Sequence, residues 1–235
     1  MISMEVFSYT PEELIAIKLS IKVALICTLV ALPFAIGIGW FLARKNFYGK
    51  SVVEGFLHLP LVLPPVTTGY LLLIVFGTKG VLGNLLFDLW GIRIAFTFWA
   101  VVLASIVVSF PLATRSIRLA VELVDRNYEE AACTLGASGI RVFFTITLPL
   151  ALPGVISGFI LSFARSLGEF GATITFAGNI QGETQTLPLA IFSKMQIPGQ
   201  EASTFKLVFV SVIISLVAMI GAEYLNKRIL KRRRK

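Results

Sequence analysis

One apolar stretch of this chain contains two opposite charges. Arg165 and Glu169 lie four residues apart within residues 148–177. Charged side chains inside a membrane span are costly, and they usually face a cavity or pair with each other. A guanidinium on a cavity would assist the passage of an anion, because its fork of N–H donors matches pairs of oxygen atoms. An internal i,i+4 ion pair that neutralises both charges is the alternative, and the sequence leaves both interpretations open.

A second pattern lies in a polar stretch between two apolar segments. Its fixed positions are Glu130, Ala131, Ala132, Gly136, Ile146, Leu148 and Pro149. Asp125 is a suitable N-cap, and acidic residues near a helix start are favoured by the macrodipole. The two alanines would leave the helix a slim face, and Gly136 permits a left-handed turn or a close backbone approach. Leu148-Pro149 would end this piece and restart the next helix.

A short helix of this kind, lying parallel to a membrane, would fit a socket on a soluble partner. An ordinary cytoplasmic hairpin is the alternative. The sequence itself offers no catalytic centre. It has one histidine. It also lacks the phosphate-binding loop G-x4-G-K-[ST]: Gly49-Lys50-Ser51 matches the end of this motif, but Arg44 occupies the position of its first glycine. We therefore expect neither enzymatic activity nor a metal or cofactor bound by this chain.

The composition predicts an all-α integral membrane protein. Of the 235 residues, 56% are hydrophobic and 14% are charged, against about a quarter charged in soluble domains. The mean hydropathy is +0.86. The net charge of +8 does not indicate nucleic-acid binding, because no binding motif accompanies the basic tail that follows the last apolar run.

Five segments are long enough to cross a hydrocarbon core about 30 Å thick. They are residues 14–43, 56–76, 94–114, 148–177 and 205–225, within a single transmembrane domain of residues 1–235. The loop at residues 125–147 is too polar to cross. Pro64 and Pro65 fall inside the second segment and predict a kink. That kink either faces protein or a water-lined cavity, which would place both prolines on a translocation pathway, or it serves packing alone.

Charge distribution predicts the orientation. With five spans, an N-terminus outside and a C-terminus inside places fourteen of the 21 Lys and Arg residues in cytoplasmic segments. The positive-inside rule favours this arrangement in the cell inner membrane. It also places residues 125–147 in the cytoplasm.

The spacing EAA-x3-G-x9-I-x-LP resembles the coupling loop by which ABC importer permeases grip their ATPase subunits. Three further blocks resemble the oxyanion branch of that family, the molybdate permeases. They are residues 58–65 with Gly69 and Tyr70, residues 141–150, and residues 163–173. The likeness runs from about residue 20 to residue 199. Sulfate and tungstate permeases are similar in the last block and remain alternatives.

This resemblance implies a type I ABC importer permease fold of about five transmembrane helices plus a cytoplasmic coupling helix. Two copies of the chain would line one path, and a cytoplasmic ATPase dimer using ATP and Mg would dock beneath. An extracytoplasmic molybdate-binding protein would deliver the anion, which would cross by alternating access. A secondary anion transporter is the rival from another class, although such proteins usually show more spans or inverted repeats.

Overall fold

Helices account for all regular secondary structure in the described part of the chain. The computed structural model describes residues 9–233. In chain order the helices are α1 Pro11–Arg44, α2 Lys50–Val62, α3 Pro65–Phe76, α4 Val81–Trp90, α5 Phe98–Glu122, α6 Arg126–Thr134, α7 Gly139–Val142, α8 Leu148–Leu167, α9 Gly171–Phe176, α10 Leu187–Met195 and α11 Glu201–Arg233. A π-helical turn, Phe143–Thr147, joins α7 to α8.

Local capping explains the start of α1. The Thr10 side chain accepts a hydrogen bond from the Glu13 amide, and the Glu13 carboxylate accepts one from the Thr10 amide. This capping box, with Pro11 at the first helical position, fixes the helix start three residues before the predicted span. At 34 residues the helix is about 51 Å long, more than a bilayer core requires.

The predicted second span, 56–76, is not one continuous helix. Helices α2 and α3 are separated by Leu63 and Pro64 and are bent by 114°. Proline disfavours helical ψ values at the residue before it. Both linking residues are accordingly extended in ψ, at 142° and 133°. Residues 9–233 thus contain four long apolar helical stretches, or five spans if this bent pair counts as one.

The other predicted boundaries also shift. The third span starts at Phe98 rather than residue 94, and it continues eight residues past Thr114 to Glu122. Its polar last turns are stabilised by Arg118, which pairs with Glu54 of α2 and Glu122, each at 2.8 Å. The fifth predicted span lies within the longer α11.

The predicted fourth span, 148–177, is wrong at both ends. The helical stretch begins earlier, at Gly139, and ends at Leu167. Residues 168–170 break the helix before α9 begins at Gly171. The Glu169 Oε1 atom accepts a hydrogen bond from the Ala172 amide at 2.8 Å, so the carboxylate that interrupts the span starts the next helix.

Helices α1, α5 and α8 pack together as the centre of the bundle. Small residues allow their close approach. A Cβ atom at Gly39 would lie 3.1 Å from Ile117, and one at Gly158 would lie 3.1 Å from the Ala113 carbonyl. Buried hydroxyls link the same helices, because Ser162 donates to Ser109 Oγ at 3.0 Å. We call the end of the bundle where α1 and α5 finish the α6 end.

Helices α10 and α11 join α1 at the opposite end. The buried Glu13 carboxylate lies 3.2 Å from Lys194 Nζ and 3.9 Å from Lys206 Nζ, and it accepts a hydrogen bond from Ser203. Ser20 of α1 also accepts from the Leu187 amide at 2.6 Å. The basic tail on which the predicted orientation partly depends runs beyond the described residues at Arg234 and Lys235.

Candidate functional site

Helix α6 is the short helix predicted from the sequence. Asp125 caps it, with a carboxylate oxygen accepting from the Asn127 amide at 3.0 Å. Its end is a Schellman turn, in which the amides of Gly136 and Ala137 bond to the carbonyls of Cys133 and Ala132 at 3.0 Å each. Gly136 has a φ of +87°, so the glycine supplies the left-handed conformation that the turn needs.

The other alternative for Gly136, a close backbone approach, is not found among the residues that the structure describes. A Cβ atom there would meet no described atom within 4 Å. The turn leads directly into α7, whose first turn is capped by Ser138. Helix α6, the glycine turn and α7 therefore form one compact projection at the α6 end.

This projection exposes a patch that we call the coupling surface. It consists of Glu130, Ala131, Tyr128, Leu135 and Ile140, all of them exposed. Leu135 is 88% exposed and Ile140 is 75% exposed. Contiguous exposed apolar side chains with polar neighbours are typical of a protein–protein contact or a lipid contact. The predicted Ala132 is half-buried and lies at the edge of this patch.

Glu129, the neighbour of the predicted Glu130, points toward the bundle instead. Its Oε1 atom accepts hydrogen bonds from Arg44 Nε at 3.1 Å, Arg44 Nη2 at 2.9 Å and Thr147 Oγ1 at 2.5 Å. Arg44 is the last residue of α1, and Thr147 is the buried last residue of the π turn. Sequence reasoning missed these three residues, because no local signal relates Arg44 to Glu129.

The chain does not break at Leu148-Pro149 as predicted. Thr147 and Leu148 both keep helical dihedral angles, and Pro149 lies in the first turn of α8. Proline cannot donate the amide hydrogen bond that a continuing helix requires. The chain accommodates Pro149 with the widened turn, in which the Leu148 amide bonds to the Phe143 carbonyl. Ile146 lies half-buried inside that turn.

The two charges at the end of α8 form an ion pair. Arg165 Nη1 lies 2.8 Å from Glu169 Oε2. The Glu169 side chain is 2% exposed and that of Arg165 is 30% exposed. The structure contains the i,i+4 ion pair of the second interpretation, with the carboxylate buried at the start of α9 and the guanidinium partly exposed. A role of Arg165 in the passage of an anion stays a prediction.

The bent segment packs directly beside this ion pair. A Cβ atom at Gly171 would lie 2.7 Å from Pro65 Cβ, and one at Gly69 would lie 2.5 Å from the Ala172 carbonyl. Helices α3 and α9 therefore meet backbone to backbone. Pro65 is one of the two prolines predicted to lie on a pathway. It packs against Gly171, which follows Glu169 by two residues in the chain. Pro64 lies exposed at the bend itself.

The described residues form no candidate metal-binding site. Among the described residues no three His, Cys, Asp or Glu side chains group as metal ligands would. His58 bonds to the Glu54 carbonyl of its own helix at 2.7 Å.

Comparison with known proteins assigns the class of this molecule. Residues 35–231 match the family described as "Binding-protein-dependent transport system inner membrane component". The chain belongs to this family. The permease is therefore a multi-pass component of an inner membrane, as the apolar helices require.

Individual relatives indicate which branch of the family the permease resembles. The permease is 55% identical over 220 residues to the molybdenum transport system permease protein ModB of Haemophilus influenzae, spanning 94% of this chain and 96% of that protein. It is 51% identical over 218 residues to the protein of the same name from Escherichia coli K12, spanning 93% and 95%. A probable sulfate transport system permease protein, cysT of Chlorokybus atmophyticus, is 33% identical, with 92% and 75% coverage. These figures confirm the sequence-based assignment to the molybdate branch.

Solved structures confirm the predicted fold class. A bacterial ABC transporter that imports the acidic polysaccharide alginate aligns with a TM-score of 0.77 at 17% identity, covering 97% of this chain and 85% of that one. At this identity the likeness establishes the fold of an ABC importer permease.

Proposed function

We propose that this permease is the membrane-spanning subunit of an ATP-driven molybdate importer. The main support is sequence identity: the chain is 51% to 55% identical to two molybdenum transport permeases over nearly their whole length. The sulfate permease is more distant at 33%, so the molybdate interpretation is favoured over sulfate.

The energy for transport is proposed to come from a separate chain. The sequence holds no G-x4-G-K-[ST] loop, and Arg44, at the position of its first glycine, is bound to Glu129. The coupling surface supports a cytoplasmic ATPase dimer as the partner, because it projects from the bundle and exposes apolar side chains beside Glu130. ATP and Mg would be bound by that partner.

The remaining parts of the assembly follow from the proposed class. Two copies of the permease would enclose one path, and an extracytoplasmic molybdate-binding protein would deliver the anion. The α6 end would face the cytoplasm, with the N-terminus outside. The fourteen basic residues assigned to the inside support this orientation.

The ion pair at the end of α8 is the proposed contact with the anion. Arg165 keeps donor atoms available while one Nη1 contact holds Glu169. A guanidinium fits the paired oxygens of a doubly charged oxyanion. The contact between Pro65 and Gly171 would fix the bent segment beside it, so Pro64, Pro65, Arg165 and Glu169 would form one wall of the pathway.

Reconstitution tests this function. The permease is placed in proteoliposomes with its ATPase facing outward, in the medium that contains ATP and Mg, and the molybdate-binding protein with molybdate is enclosed. ATP-dependent loss of molybdate from the lumen is expected only when all three proteins are present. Transport without the ATPase would indicate a secondary transporter, and ATP-dependent movement of sulfate but not molybdate would reassign the substrate.

A further inference from the structure

Two distant segments of the permease donate to one α6 carboxylate at the α6 end, and one of the donors also bonds to a third segment. Glu129 of α6 accepts hydrogen bonds from Arg44 at the end of α1 and from Thr147 at the start of α8. The same Arg44 Nη2 also donates to the Val124 carbonyl at 2.9 Å, just after the end of α5. We call Arg44, Glu129 and Thr147 the clasp.

The clasp is well protected from solvent for a site at the edge of the molecule. The Arg44 and Glu129 side chains are 9% and 18% exposed, and Thr147 is buried. A two-nitrogen contact between a guanidinium and a carboxylate is a strong, directional interaction, and it strengthens as water is excluded. Removing one partner leaves the other charge poorly compensated.

Helix α6 has few other attachments to the bundle. None of its nine residues is buried, and a helix this short is marginal without tertiary contacts. Among the described residues, the side-chain hydrogen bonds from α6 to another helix all run through Glu129. Trp40 of α1 and Phe143 of the π turn also make an edge-to-face ring contact, with 5.5 Å between the ring centroids. This contact strengthens the attachment of the π turn to α1.

We propose that the clasp makes α1 and α8 follow α6 when the partner ATPase displaces it. This inference rests on the proposed function. Glu129 is then a positioning residue that faces inward, while Glu130 and the apolar side chains face the partner. Coupling between two sites needs a physical connection whose arrangement both sites bias. The clasp supplies that connection between a docking helix and two of the three central helices.

The location of the clasp separates this role from simple stabilisation. The central packing of α1, α5 and α8 extends along the helices through buried residues such as Ala35, Ala113 and Ile117, and the clasp reaches this core only at its margin, through Val124. Loss of the clasp is therefore expected to leave the bundle folded. It should loosen only the link between α6 and the helices behind it.

The decisive experiment measures ATP hydrolysis and molybdate transport in the same proteoliposomes. Glu129→Ala is expected to keep the ATPase bound and hydrolysing while the molybdate moved per ATP falls about tenfold. Glu129→Gln should fall between Glu129→Ala and the unmodified chain, because its amide oxygen still accepts hydrogen bonds. Arg44→Ala also loses the bond to Val124, so its ratio should fall at least as far as that of Glu129→Ala. The double variant should be no worse than Arg44→Ala, since all three variants break the same Arg44–Glu129 contact.

Glu54→Ala is the matched control. It removes a comparable ion pair at the same end, 2.8 Å from Arg118, without touching α6. Its molybdate-to-ATP ratio should stay at the value of the unmodified chain. A normal ratio in Glu129→Ala, or an equal loss in Glu54→Ala, would overturn the proposal.

A second measurement is independent of transport. A spin label on the exposed Cys133 of α6 reports the mobility of that helix, while Cys27 is buried and stays unlabelled. Glu129→Ala should increase the mobility of the label in the purified permease, and Glu54→Ala should not. If the unmodified chain moves no molybdate, the proposed function fails, and this mobility result alone then decides whether the clasp holds α6.

Discussion

Two adjacent glutamates of α6 point in different directions. Glu129 faces Arg44, which precedes it by 85 residues, and Glu130 is exposed. Successive helix positions are rotated by about 100°. The motif spacing therefore identified the helix, but it did not identify the glutamate that binds the bundle. That assignment depends on the N-cap at Asp125 and on a distant partner, and neither the spacing nor the residue types contain it.

Gly136→Ala tests the left-handed turn. No described atom lies within 4 Å of a Cβ at this position, so the cost is backbone strain of about 1–2 kcal/mol rather than a clash. The turn should shift, and transport should fall while membrane insertion is unchanged. Gly139→Ala, three residues on and equally open, has no positive φ and should transport normally. Equal activity of the two variants would contradict a role for the turn.

A pair of variants separates the two interpretations of Arg165. Arg165→Gln leaves the buried Glu169 carboxylate without its cation, so stability and transport should both fall. Adding Glu169→Gln removes that charge and should restore thermal stability in detergent. If Arg165 contacts the anion, transport stays low in the double variant. Recovery of transport with stability would show that the pair serves structure alone.

At the scale of elements, the broken helices lie where the predicted pathway residues lie. The α2–α3 bend and the gap between α8 and α9 meet through Pro65 and Gly171. Broken helices in a membrane protein leave carbonyl and amide groups that lipid cannot satisfy, and they are tolerated where protein or water covers them. The meeting of two breaks therefore indicates a segment that faces protein or a cavity rather than lipid.

Gly69→Ala tests this contact. The added methyl would meet the Ala172 carbonyl at 2.5 Å, which is far inside van der Waals contact and involves backbone. Overpacking of this kind costs about 1–3 kcal/mol, so the unfolding temperature in detergent should drop. Gly55→Ala, in the middle of α2 with no atom within 4 Å, should be neutral or slightly stabilising. A drop in both variants would contradict a packing origin, because only Gly69 has an atom in the way and helix propensity favours alanine at both positions.

Hydropathy found the apolar elements and missed their breaks for a physical reason. Average apolarity registers α1, α5 and α11 because these helices are long and continuous. It does not register the bend at Leu63 and Pro64 or the stop at Leu167, because the mean over a window of about 20 residues stays apolar across both. The two prolines predicted a kink, but its angle of 114° depends on α9 packing against α3. The charge of Glu169 does not by itself predict where the helix breaks. The position of the second break depends on the hydrogen bond from the Ala172 amide to the Glu169 carboxylate.

At the scale of the whole molecule, one end gathers the features that a soluble partner would use. The ends of α1 and α5, the start of α8, the clasp and the coupling surface all lie together. The Glu13 cluster ties α1, α10 and α11 at the opposite end. This polarity agrees with the charge-based orientation, in which the α6 end is cytoplasmic.

Labelling of native cysteines checks the orientation. Cys133 on α6 is exposed and Cys27 is buried. A membrane-impermeant maleimide should label the permease in inside-out vesicles and leave it unlabelled in intact cells or right-side-out vesicles. Bound ATPase should slow the reaction, because it would cover α6. Cys133→Ser should remove the signal, and labelling from the outer face would invert the proposed topology.

The coupling surface also has a consequence for how the protein is made. In the proposed assembly and orientation, a permease synthesised in excess of its ATPase would fold its bundle yet present Leu135 and Ile140 to the cytosol. Exposed apolar side chains are what chaperones and proteases recognise in incomplete proteins. Unassembled copies should therefore be short-lived, and the cellular amount of this chain should follow the supply of its partner.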